Sequence, residues 1–83
     1  MRIDKFINSV NITKRRAIAQ DMLQNGVVSL NGNPVKQSKD VKIGDVISIK
    51  YLDGEIESYK ILDLPKLKNI PKSDKDKYVT RLS

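Results

Sequence analysis

Lys14, Arg15 and Arg16 are three consecutive cations at what reads as the start of a helix. That end of a helix already carries about half a positive charge from its unpaired N–H groups, so each added cation costs a few tenths of a kcal/mol. A bound anion offsets the cost. Phosphate suits the place best, because helix N-termini and guanidinium forks both match it. The chemistry expected is therefore the holding of a phosphate-bearing ligand, with no bond made or broken.

The remaining residue types point the same way. The chain has 83 residues with no histidine and no cysteine, which removes His-based triads, Cys nucleophiles, thiolate metal sites and disulfides. Its four glycines are isolated at turns and form no phosphate loop. Asp74 and Asp76 could make a weak metal contact, but a solvated charged tail explains them better. Asp40 and Asp45 flank turns and are expected to make local hydrogen bonds there. Neither enzymatic activity, nor a metal, nor a cofactor is expected. Phe6 belongs to the core, and Tyr51, Tyr59 and Tyr78 lie in or near strands, where packing is the default role. They form no platform for stacking single-stranded bases, so a nucleic-acid ligand would be held by phosphates and folded shape.

Charge supports a polyanion. The net charge is +6, and it is uneven: residues 1–50 hold nine Lys/Arg and four Asp/Glu, residues 51–83 seven and six. The excess lies with the cations already singled out. No apolar run approaches the roughly 18 residues of a membrane span, and Met1-Arg-Ile-Asp-Lys5 lacks a signal-peptide run. A cytosolic protein without membrane contact is expected.

The elements that must position these cations are readable. Ile3, Phe6, Ile7 and Val10 fall at i, i+3, i+4 and i+7, one stripe of a short helix. Asn11 and Thr13 each offer an N-cap for a second helix. There Ala19, Met22 and Leu23 share a face with Ile18 at its edge. Arg15 and Arg16 lie where the apolar stripe meets solvent, and Lys14 points more nearly outward. Gly26 suits the position just past the helix end. Val27–Leu30, Asn31-Gly32 and Asn33–Val35 predict a hairpin with a type I′ turn and Pro34 at an edge. Lys36, Lys39 and Lys42 lie on a polar connection. Val46–Leu52 and Glu55–Leu62 predict two further strands around the turn at Asp53-Gly54. A small core is expected in a single domain, residues 1–62, followed by a basic, Pro-containing tail, 63–83. The tail reads as mostly irregular, with Tyr78-Val79 able to dock on the sheet. Its lysines Lys66, Lys68, Lys72, Lys75 and Lys77 read as solvated.

Five pieces in order resemble a known family: Arg2-Ile-Asp4-Lys5-Phe6-Ile7, Arg15-Arg16-Ala-Ile-Ala19, Gly26-Val-Val-Ser-Leu-Asn31-Gly32, Lys36, and Val41-Lys-Ile-Gly44-Asp45-Val-Ile47. Together they resemble the RNA-binding domain first described in small-subunit ribosomal protein four, over about residues 1–50. The resemblance implies an α+β fold of two short helices on a small, bent, mostly antiparallel sheet. By motif position it implies RNA contacts from Arg2, Lys5, Arg15 and Arg16. Lys14, Gln20, Lys36, Lys39 and Lys42 are flanking candidates, and Asp4 reads as an internal partner for a nearby arginine. Arg16 is the central candidate, and its removal is expected to weaken RNA binding while leaving folding intact. With no catalytic domain attached, the chain looks like the stand-alone relatives. These are the RqcP family of ribosome-associated quality control and the heat-shock ribosome-recycling family, with the run at Lys14–Arg16 and the compact length closer to the first. The implied partners are large-subunit ribosomal RNA, peptidyl-tRNA and a tail-elongating quality-control factor. Two rivals remain: a protein-interaction adaptor using the basic face, and a subunit of an RNA-modifying enzyme.

Overall fold

In the computed structural model, residues 1–66 and 70–82 are described. The elements run α1 (Ile3–Ser9), α2 (Arg16–Gln24), β1 (Val28–Leu30), β2 (Asn33–Pro34), β3 (Val46–Lys50), β4 (Ile56–Ile61), a 3-10 turn (Lys72–Asp74), α3 (Lys75–Tyr78) and β5 (Val79–Arg81). The fold is the expected α+β arrangement.

Ile3, Phe6, Ile7 and Val10 are all fully buried, so the stripe of α1 is its core face. Ala19 and Leu23 of α2 join them, while Ile18 stays 44% exposed at the edge. The end of α2 is closed by Gly26 at φ 74°, where a side chain would be strained. The Gly26 and Val27 N–H groups donate to the carbonyls of Leu23 and Met22, which satisfies two otherwise orphaned acceptors.

The sheet is antiparallel throughout, in the order β2-β1-β3-β4-β5. Asn31 and Gly32 have φ of 52° and 88°, and Leu30 pairs with Asn33, the geometry of the expected two-residue turn. Pro34 lies on the edge strand β2, where its missing N–H breaks no ladder. Val28, Leu30, Ile47, Ile49, Tyr59, Ile61 and Val79 line one face and enter the core. Ser29, Ser48 and Ser58 alternate onto the other face, where the Ser48 and Ser58 hydroxyls lie 3.0 Å apart.

Four expectations need correction. The strands β3 and β4 are shorter than expected, Val46–Lys50 and Ile56–Ile61, because the hairpin turn starts at Tyr51 rather than Asp53. The hydrogen bonds from Tyr51 N–H to the Glu55 carbonyl and from Gly54 N–H to the Tyr51 carbonyl draw both ends into the loop. The second helix begins at Arg16, so Lys14 precedes it and Arg15 is the N-cap. Neither Asn11 nor Thr13 caps it: Thr13 donates instead to the Arg15 carbonyl, and Asn11 turns away at φ 65°. Finally, residues 72–81 are not irregular: β5 pairs with β4 through Tyr59–Arg81, Lys60–Thr80 and Ile61–Val79. The docking expected at Tyr78-Val79 is this strand. Lys68 lies outside the described residues.

Candidate nucleic-acid interface

The site is built around one carboxylate. Asp4 is the second residue of α1 and is fully buried. Its Oδ2 accepts from Arg2 Nη2 at 3.3 Å, Arg16 Nε at 3.2 Å and Gln20 Nε2 at 3.1 Å. Its Oδ1 accepts from the Lys5 backbone N–H at 2.8 Å. Packing of α1 against α2 brings these groups together, since Arg16 and Gln20 stand one turn apart on α2. Burial alone would raise the carboxyl pKa. The hydrogen bonds from Gln20, Arg16 and Lys5, with the Arg16 charge, outweigh it and hold Asp4 below its ordinary value.

The arrangement leaves both guanidiniums available. Their side chains are 44% (Arg2) and 43% (Arg16) exposed. Arg16 spends only Nε on Asp4, which leaves the Nη1 and Nη2 fork with N–H groups to donate from a half-exposed side chain. That fork is the half of the group that grips a phosphate with two bonds. Two arginines thus share one buried anion, and the cluster keeps a net positive charge.

The start of α2 adds to this. Arg15 caps it with its backbone alone, and no side chain satisfies the first amides. The Ile18 and Ala19 N–H groups donate to the Arg15 carbonyl, while those of Arg16 and Ala17 donate to no described residue. They are donors for an anion at the positive end of a nine-residue helix.

The other candidates distribute around this centre. Lys5, Lys14 and Arg15 are exposed on or beside the same two helix starts. Lys39 and Lys42 are exposed and tethered close to α1: the Ile3 N–H donates to the Lys39 carbonyl, and the Val41 N–H donates to that of Met1. Lys36 sits elsewhere. It lines a cleft with Leu23, Gln24 and Gln37, at the far end of α2 from Arg16. At 1.5 Å per residue Leu23 lies about 10 Å along the helix from Arg16, so Lys36 stands apart from the Asp4 cluster. Gln20, expected as a flanking contact, directs its amide nitrogen at Asp4.

The expected turn residues Asn31 and Asp45 prove to be bonded to each other, Asn31 Nδ2 to Asp45 Oδ1 at 3.1 Å. Asp45 also accepts from the Lys42 N–H at 2.9 Å, which fixes the loop carrying that lysine. Asp40 lies 3.6 Å from the N-terminal ammonium. The internal arginine partner expected for Asp4 is Arg16, together with Arg2. The sequence missed the tie between the Lys14 loop and the C-terminal segment, made by Asn11.

This geometry belongs to a known class. Residues 1–47, more than half of the chain, match the S4 domain, and the chain is a member of that family. More narrowly, it is 56% identical over 79 residues to a Helicobacter pylori protein named RQC P-site tRNA stabilizing factor, covering 95% of this chain and 93% of that one. A Bacillus subtilis protein of the same name is 41% identical over 51 residues, 61% of this chain and 59% of the relative. Among solved structures, trimeric Heat Shock Protein 15 of Vibrio cholerae superposes with a TM-score of 0.88 at 23% identity, covering 100% of this chain and 82% of that one. That likeness concerns the fold. The solution structure of a hypothetical protein superposes at 0.85 with 52% identity, covering 100% and 98%.

Proposed function

We propose that this chain is a non-catalytic RNA-binding protein that holds P-site tRNA on obstructed large ribosomal subunits during ribosome-associated quality control. The observation that carries the reading is the Asp4-aimed pair Arg2 and Arg16 beside the uncapped start of α2. It occurs in a chain 56% identical, over 95% of its length, to a protein named for stabilizing P-site tRNA. The start of α2, with Arg15 and Arg16, meets one phosphate strand. Lys5, Lys39 and Lys42, near the start of α1, meet a second, and large-subunit ribosomal RNA and the peptidyl-tRNA are the two ligands. Such a clamp fixes the tRNA while a tail-elongating factor supplies the chemistry. The protein works where ribosomes do, in the cytoplasm; among the described residues no helix is long and apolar enough to cross a membrane.

Heat-shock recycling of large subunits is the second reading. The superposition on Heat Shock Protein 15, at 23% identity, carries the fold and not that role. The test is co-sedimentation of tagged protein with large subunits through a sucrose gradient, with and without nuclease. Nuclease-sensitive recovery with large subunits that hold tRNA is expected. Recovery only with small subunits would overturn the reading, and nuclease-insensitive capture of a protein would favour the adaptor alternative.

A further inference from the structure

We infer that the cleft between the Asn11–Lys14 loop and the C-terminal segment is a second phosphate site, taking an RNA backbone that continues past Arg15 and Arg16. The inference rests on the RNA-binding reading and extends it to Lys72 and Lys75, outside the residues that match the S4 domain.

The cleft encloses about 510 Å³ and is lined by Asn11, Ile12, Thr13, Lys14, Lys72 and Lys75. Among the described residues, three cations and no carboxylate line it. Its two walls are held together. Asn11 Nδ2 donates to the Ile70 carbonyl at 3.0 Å, joining residues 59 positions apart, and the Ile70 side chain is only 6% exposed. The Lys75 ammonium stands 5.3 Å from the ring centre of Tyr59, itself 7% exposed, so its charged head is placed over a core residue.

The charge balance sets these lysines apart from their neighbours. Lys77 pairs with Asp74 at 3.4 Å and Arg81 with Glu57 at 2.9 Å. Lys14, Lys72 and Lys75 form no ion pair with any described carboxylate. Like charges held around one cleft repel one another, and an anion entering it relieves the repulsion. Lys14 directly precedes Arg15, so the cleft lies beside the uncapped amides of α2. The ligand is a phosphodiester strand rather than a base, because lysines act as point charges and no aromatic ring lines the cleft.

The test compares wild type with Lys72→Gln, with the double variant Lys72→Gln/Lys75→Gln, and with Lys60→Gln as a control. Binding is measured against salt with two probes, purified large subunits and their deproteinised RNA. Lys72 is exposed and forms no ion pair with any described carboxylate, so its variant is expected to melt like wild type. For both probes, the slope of log K against log salt should shrink by about 1 for Lys72→Gln and about 2 for the double variant, with affinity falling roughly tenfold in the latter. Lys60→Gln should match wild type. Wild-type slope and affinity in the double variant, with Arg15→Gln impaired, would overturn the cleft and leave the RNA-binding reading intact. A loss seen with whole subunits but not with their RNA would assign the cleft to an acidic protein and overturn the phosphate assignment. Wild type that binds neither probe would overturn the RNA reading and the cleft with it.

Discussion

Arg16 Nε lies 3.2 Å from the Oδ2 of the fully buried Asp4, and the Arg16 side chain stays 43% exposed. One side chain therefore does two jobs: it stabilises a buried carboxylate and presents a fork to solvent. The division of labour needs an arginine. A lysine has a single nitrogen, which can serve the carboxylate or a phosphate but offers no fixed fork for both.

Arg16→Ala should show both losses. Binding to large subunits is expected to fall about tenfold, near 1.4 kcal/mol, for the loss of a charge-assisted phosphate contact. Stability should also fall, by about 1 kcal/mol, since Asp4 loses one of its donors; the half-exposed guanidinium keeps the figure low. Arg16→Lys should retain part of the binding and less than wild type. Thermal unfolding and subunit binding on both variants check this. The outcome differs from the sequence-based expectation of intact folding, because the bond to Asp4 stands in the way.

Acid should expose the carboxylate's contribution. The pKa of Asp4 is held below its ordinary value of 3.8, so the folded state binds its proton less readily than the unfolded chain does. Its stabilisation is fully present above that ordinary value and is lost as pH falls through the lower folded value. Melting temperatures between about pH 2 and 6 should therefore drop more steeply for wild type than for Asp4→Asn, with the gap between them closing at the acid end.

Removing residues 63–83 should leave a marginal fragment. Ile70 and Val79 are 6% and 2% exposed, and β5 covers the edge of β4. Burying two such side chains contributes about 3–6 kcal/mol, against a total stability of about 5–15 kcal/mol for a domain. Chemical denaturation of the 1–62 fragment should give a midpoint far below that of the full chain. An equal midpoint would mean that the C-terminal segment is an appendage.

Salt should weaken RNA binding steeply. With about four to six phosphates met in all by Arg2, Lys5, Arg15, Arg16, the 36–42 loop and the Lys72–Lys75 cleft, log K should fall against log salt with a slope near −3 to −5. Filter binding over a salt series measures it, and a slope near zero would contradict the phosphate clamp.

Much of this was legible because it was local. The stripe Ile3, Phe6, Ile7, Val10 and the Asn31-Gly32 turn follow from periodicity and backbone preference, and both appear in the structure as expected. Asp4 as an internal partner was also legible. Its convergence with Gln20 was not, since that depends on how α1 packs on α2. The cap failed for a similar reason: Thr13 has the chemistry of an N-cap, but the residue is only 7% exposed and its hydroxyl donates to the Arg15 carbonyl. Least visible was the docked C-terminal segment. Lys72 and Lys75 look solvated in a stretch of alternating charge, and long-range ties such as the bond from Asn11 to Ile70 and the pairing of β5 with β4 bring them beside Lys14.

The most direct test of the account is the affinity of Asp4→Asn for large ribosomal subunits. Simple charge counting says that deleting an anion from a basic face tightens RNA binding. If Asp4 aims Arg2 and Arg16, its loss frees both guanidiniums and binding weakens instead, by roughly tenfold in a protein that still folds at neutral pH. Affinity equal to or tighter than wild type in the folded variant would contradict the account.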